Sequence, residues 1–167
     1  RKIFLEQLGN EMMGLMSLYS NIIGWLSILD MGIGSAIIFS LYKPYSDKNY
    51  EKVCTYINYY GKIYKAIGTA ILLLGIFISP FIRYFIDTKI NYDIAVIGMF
   101  VYVANTFISY MFSYKICILN VAQESYIITI STTISKFIIF VLQFIMLKIY
   151  PNFLMYILIQ LIINLLY

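Results

Sequence analysis

Histidine is absent from this chain, tryptophan occurs once, proline three times, and only 12% of the residues are charged. Each scarcity closes off a class of protein. Without histidine the commonest general base and metal ligand is missing. No Ser/His arrangement, carboxylate pair or zinc-ligand spacing replaces it, so the residues give an enzyme, a metal centre or a cofactor site little support. Cys54 and Cys117 stand 63 positions apart and form neither a CxxC pair nor a disulfide framework. They read as free thiols near helix ends. Eight acidic and 12 basic side chains are too few to clothe a soluble domain of 167 residues, because it is charged side chains that occupy a water-facing surface. The net charge of +4 is scattered between apolar runs rather than gathered with polar company, which argues against a nucleic-acid partner.

What the chain has in excess is apolar surface. Hydrophobic residues make up 62% of it and mean hydropathy is +0.83, against about 45–50% apolar in ordinary soluble domains. The excess must face lipid. A hydrocarbon core of about 30 Å takes roughly 20 residues of helix, and that ruler picks out residues 12–42, 56–82, 94–114, 126–147 and 153–167. Helix is required because lipid offers backbone groups no partner, and the runs lack the alternation of a barrel strand. The expected fold is all-α, an integral membrane bundle of about five spans in one domain. Polar loops at 43–55, 83–93, 115–125 and 148–152 are short, so neighbouring helices run antiparallel. The chain opens at Arg1 and stops at Tyr167 inside an apolar run, and reads as a window on a longer protein.

Orientation follows from Lys and Arg. One side receives Lys43, Lys48, Lys52, Lys62, Lys65 and Lys115; the other receives Arg1, Lys2, Arg83, Lys89 and Lys148. The denser 43–65 cluster is assigned to the cytoplasm. In the second span Gly61, Gly68 and Gly75 recur every seven residues and form one stripe, a place where another helix can approach closely. The first run, at about 46 Å of helix, exceeds the hydrocarbon core. Gly32 and Gly34, just after Asp30, are its expected break.

The fourth span carries the most informative pattern. Thr129, Thr132, Thr133, Lys136 and Gln143 lie at offsets 0, 3, 4, 7 and 14, within about 60° of Thr129 on a helical wheel. Ile127, Ile134, Ile138 and Val141 occupy the other face. Lys136 sits ten residues from Tyr126 and 11 from Leu147, near the bilayer midplane. An ammonium there costs about 2.5–3.5 kcal/mol on insertion scales. A hydrated cavity with an anionic substrate offsets that cost; so does a buried carboxylate, or snorkelling, which is hard from the middle of a span. Asp30 is the other intramembrane charge, read as the partner of a cation, as a group coupled to a proton or sodium ion, or as a cap on the helix that resumes after Gly34. Asn105, Thr106, Ser109 and Ser113 fit a path or interhelical hydrogen bonds equally. Tyr102 and Tyr110 are candidates for sugar stacking, whereas Tyr42, Tyr45, Tyr84, Tyr92, Tyr126 and Tyr150 fit the membrane interfaces.

Leu8-Gly9-Asn10-Glu11-Met12-Met13-Gly14-Leu15, followed by Leu29-Asp30-Met31-Gly32-Ile33-Gly34-Ser35-Ala36, resembles the bacterial polysaccharide biosynthesis transporters. These are the O-antigen and capsule repeat-unit flippases of the multidrug/oligosaccharidyl-lipid/polysaccharide exporter superfamily. The stretch Ser113-Tyr114-Lys115 through Asn120-Val121-Ala122-Gln123-Glu124-Ser125-Tyr126 is similar to that family's link between helices four and five. Met12-Met13 departs from it, since an aromatic usually precedes the Gly14 position. The resemblance implies helices two to six of a 12- to 14-helix transporter in the bacterial cytoplasmic membrane, working by alternating access. Its implied partners are a polyprenyl-diphosphate-linked oligosaccharide, membrane lipids and the polysaccharide polymerase machinery. It also implies a cationic central cavity, into which Lys136 would fit with Thr129, Thr132, Thr133 and Gln143. A drug/cation antiporter of the same superfamily, for which Asp30 is the only acidic residue on offer, is the nearest alternative. A membrane-embedded polysaccharide polymerase or ligase is a second, and a scaffold without transport a third.

Overall fold

Two glycines set the path of the first third of the chain. A computed structural model describes residues 2–30, 32–86 and 90–166; the side chains of Lys2, Leu29 and Asp30 lie outside the description. Helix α1 (Lys2–Leu26) is broken internally at Gly9, whose φ of 82° and ψ of 170° are not helical. After a 3₁₀ turn over Ser27–Asp30, Gly32 adopts a left-handed φ of 88° and starts α2 (Ile33–Ser46). A side chain in that conformation costs about 1–2 kcal/mol. The long first run therefore divides where the glycines were expected to divide it.

The next turn is built without glycine. Lys48 takes φ 54° while its N–H bonds the Tyr45 carbonyl (3.1 Å) and that of Asn49 bonds Pro44 (2.9 Å). This is a Schellman ending with lysine at the left-handed position. Lys48→Gly should raise stability by about 1 kcal/mol, read as a higher melting temperature in detergent. An unchanged or lower value would show that the turn does not carry this strain.

Helix α3 (Tyr50–Ile78) starts at Asn49, whose side chain accepts from the Lys52 N–H, and continues into a 3₁₀ turn at Ser79–Tyr84. Helices α4 (Tyr92–Val121), α5 (Ser125–Ile149) and α6 (Phe153–Leu166) follow. Nearly all the described residues are helical, with no strand among them, and three stretches are long and apolar enough to cross a membrane: Tyr50–Tyr84, Tyr92–Val121 and Ser125–Ile149. They mark the chain as membrane-embedded. Helix α6, with 14 residues, is apolar but shorter.

Helix ends overshoot the apolar runs. Helix α3 begins six residues before position 56, and α4 runs seven beyond position 114, so most of the loops expected at 43–55 and 115–125 are helix. Hydropathy reports where lipid ends; hydrogen bonding decides where helix ends. Polar residues such as Glu51, Lys52 and Thr55 ride on the exposed side of α3.

Antiparallel packing of α3 on α4 forms the spine, and the glycine stripe makes it close. A Cβ at Gly61 would meet the Tyr114 ring at 3.3 Å, one at Gly68 the Tyr110 Cβ at 3.0 Å, and one at Gly75 the Val103 methyl at 2.5 Å. On α4, Ala95 and Gly98 form a notch for the fully buried Tyr19 of α1, whose hydroxyl donates to the Ala95 carbonyl at 2.6 Å. Two cores result. One joins α1, α4, α5 and α6 around Tyr19, Met99, Val103, Leu147 and Ile157. The other joins α2, α3 and α4 around Ile37, Leu41, Tyr64 and Val121.

Candidate functional site

Helix α1 points Leu15 and Tyr19 into the core, which turns Ser17, Ser20 and Asn21 outward. These three, with Phe4, Met13, Met16 and Tyr156 of α6, line an open cleft of about 410 Å³. Beside it, Tyr102 of α4 packs on Tyr19 with ring centroids 5.2 Å apart. The Tyr156 carbonyl accepts a hydrogen bond from Gln143 Nε2 of α5 at 3.0 Å. That bond ties the stripe on α5 to the wall of the cleft.

Along α5 the five stripe residues remain on one side, flanking the face that packs on α6. Gln143 and Thr132 are half-buried; Thr129, Thr133 and Lys136 are exposed. Each threonine hydroxyl donates to its own helix: Thr129 to the Ser125 carbonyl (3.1 Å), Thr132 and Thr133 to that of Thr129 (3.0 and 2.7 Å). Their donors are thereby spent, and what they offer a neighbour is acceptor lone pairs. Lys136 is two turns from Gln143, about 10 Å along the axis. Among the described residues no carboxylate pairs with it. Ile127, Ile134, Ile138 and Val141 are also exposed, on a third face. Asp30 closes the 3₁₀ turn after α1, but its side chain is outside the described residues, so its ion-coupling and capping roles are too.

The remaining polar candidates divide. Asn105 accepts from Asn164 Nδ2 of α6 at 2.9 Å, the interhelical bond that was one of its two readings. Thr106, Ser109 and Ser113 donate to carbonyls of their own helix, and the two serines line a second cavity of about 510 Å³ between α4, α5 and α6. Tyr102 borders a small void with Asn105, Ile157 and Gln160. Tyr110 belongs to the α3–α4 interface, with its Cβ over Gly68 and its ring 6.2 Å from that of Tyr64. Sequence reasoning passed over Ser17, Ser20, Asn21, Tyr156, Gln160 and Asn164. For α1 a signal was there: polar or small residues at 10, 14, 17, 21 and 24 keep one face.

Cys54 is exposed and Cys117 buried, the latter donating its thiol to the Ser113 carbonyl at 3.9 Å, and the two form no disulfide. No group of three metal-ligating side chains is gathered among the described residues. Fold and site together define a helical membrane protein with a polar cleft at one side and a cationic stripe beside it. The chain matches no family model, no curated protein sequence and no solved structure.

Proposed function

We propose that this chain is part of a flippase that moves polyprenyl-diphosphate-linked oligosaccharides across the bacterial cytoplasmic membrane for surface polysaccharide synthesis. The observation that carries the reading is Lys136: a cation midway along a lipid-length helix, without a carboxylate partner among the described residues, on the stripe that Gln143 joins to the cleft of α1 and α6. Such a charge needs water or an anion, and a sugar diphosphate supplies the anion. The hydroxyls and amides of Ser17, Ser20, Asn21 and Gln143 are suited to sugar hydroxyls. In this reading α1–α6 supply five spans, helices two to six of one lobe of a 12- to 14-helix transporter. The α2–α3 turn lies in the cytoplasm. The lobes rock about the midplane site while the polyprenyl tail stays in lipid. The resemblance of the Leu8–Leu15 and Leu29–Ala36 motifs supports the same choice.

Reconstituting the full-length protein tests it. Proteoliposomes loaded with a polyprenyl-diphosphate oligosaccharide should expose the sugar of the inner leaflet to an external glycosidase, and protein-free liposomes should not. Sugar protection equal to that of empty liposomes, together with cation-driven extrusion of a hydrophobic dye, would replace the flippase with a drug/cation antiporter.

A further inference from the structure

Three lysines not used by the cleft come together elsewhere. Lys62 follows Gly61 on α3, and Lys115 follows Tyr114 on α4, while Gly61 and Tyr114 face each other across the packed surface of the two helices. The contacts Gly61–Tyr114, Gly68–Tyr110 and Gly75–Val103 run in opposite directions along the two helices, so α3 and α4 are antiparallel. One residue turns each right-handed helix by about 100°. In an antiparallel pair, equal turns from the mutual contact lead to the same side. Lys62 and Lys115 therefore flank one lateral face at one depth, and Lys65 lies within a turn of Lys62 on the exposed side of α3. All three are exposed.

Their depth matters. About 20 residues of helix cross the hydrocarbon, so counting from Ile94 puts the far boundary near Tyr114. Lys62 and Lys115 then sit at that boundary, and Lys65 starts slightly inside it, close enough to reach headgroups with its tail. Lys115 Nζ already lies 5.6 Å from the centre of the Phe112 ring. The nearest acidic residues in sequence, Glu51 on α3 and Glu124 in the turn after α4, are 11 and nine positions away. Among the described residues no carboxylate pairs with any of the three lysines. Below them the same side of α3 turns apolar, with Leu73, Ile76 and Phe77 exposed. Cations at headgroup depth above an apolar wall complement an anionic lipid, phosphate against lysine and acyl chain against helix.

We propose that Lys62, Lys65 and Lys115 form a headgroup site for an anionic phospholipid on the lateral face of α3 and α4. It is separate from the stripe on α5 and holds a resident lipid rather than cargo.

The test titrates phosphatidylglycerol carrying a fluorescent acyl chain into the detergent-solubilised full-length protein. Near a membrane surface each lysine is worth roughly fivefold in affinity, so each single Gln variant should bind about fivefold more weakly and the triple variant about 100-fold. A control triple variant, Lys43→Gln with Lys52→Gln and Lys148→Gln, should stay within about twofold of wild type. Labelled phosphatidylcholine should bind far more weakly than phosphatidylglycerol, and soluble glycerol phosphate should not displace the lipid. Equal losses in the two triple variants would overturn the site, as would equal binding of the two lipids or displacement by glycerol phosphate. The single variants remove one exposed charge each, so they keep the test decisive if the triple variant fails to fold.

Discussion

Gly75→Leu should leave almost no folded protein in the membrane, and Gly75→Ala should already cost about 1–3 kcal/mol, the usual range for forcing a methyl into a packed site. The built Cβ would lie 2.5 and 2.7 Å from the two Val103 methyls. Val103 cannot move aside, because it is 2% exposed and its branched side chain has one favoured rotamer in a helix. The helices would have to part. The Ala series should be graded, with Gly75 worst, then Gly68, where the nearest atom is a Cβ at 3.0 Å, then Gly61, where it is a ring carbon at 3.3 Å. Gly24→Ala is the control. Nothing lies within 4 Å of its Cβ, so the better helix propensity of alanine should leave stability unchanged or raise it by up to about 1 kcal/mol. Melting temperatures from size-exclusion profiles of heated detergent extracts give the order. Equal stability of Gly75→Ala and wild type would show that α3 and α4 are not packed through this stripe.

The second large effect is on function. Lys136→Ala in the full-length protein should reduce surface polysaccharide to background while membrane levels hold or rise. The two readouts move apart because they have different causes. Removing the ammonium relieves an insertion cost of about 2.5–3.5 kcal/mol. Under the proposed function, losing charged hydrogen bonds to a diphosphate would forfeit about 1.5–3 kcal/mol, roughly 10- to 100-fold in binding. Lys136→Arg should keep part of the export, since charge survives while donor geometry changes. Loss of the Lys136→Ala protein, rescued by Asp30→Asn, would instead reveal a structural ion pair. Normal export by Lys136→Ala would remove the lysine from the transport path.

How much of this was legible in the sequence depended on whether a feature is local to one helix. The seven-residue spacing of Gly61, Gly68 and Gly75 announced a close contact because helical period alone fixes which residues share a face. The break near Gly32 was visible because few other residues accept a left-handed φ. Helix ends were misjudged, since polar residues such as Glu51 and Lys52 on the exposed side of a helix end look like loop. What could not be read was pairing across the fold. Gln143 with Tyr156 and Asn105 with Asn164 depend on how α4, α5 and α6 are arranged, and no spacing within one segment encodes that. The threonines show the converse limit. Their shared face was correct, but their donors turn back to the Ser125 and Thr129 carbonyls, a choice set by local geometry that a helical wheel does not contain.

Cysteine accessibility measures water at the α5 stripe directly. With Cys54 and Cys117 replaced in the full-length protein, single cysteines at Thr133, Lys136 and Ile138 would be exposed in membranes to a charged, membrane-impermeant thiol reagent. Thr133→Cys and Lys136→Cys should be modified, more slowly with added polyprenyl-diphosphate oligosaccharide, and Ile138→Cys on the opposite face should not. A Lys136→Cys thiol as unreactive as Ile138→Cys would place the stripe in lipid or against another helix and contradict the account.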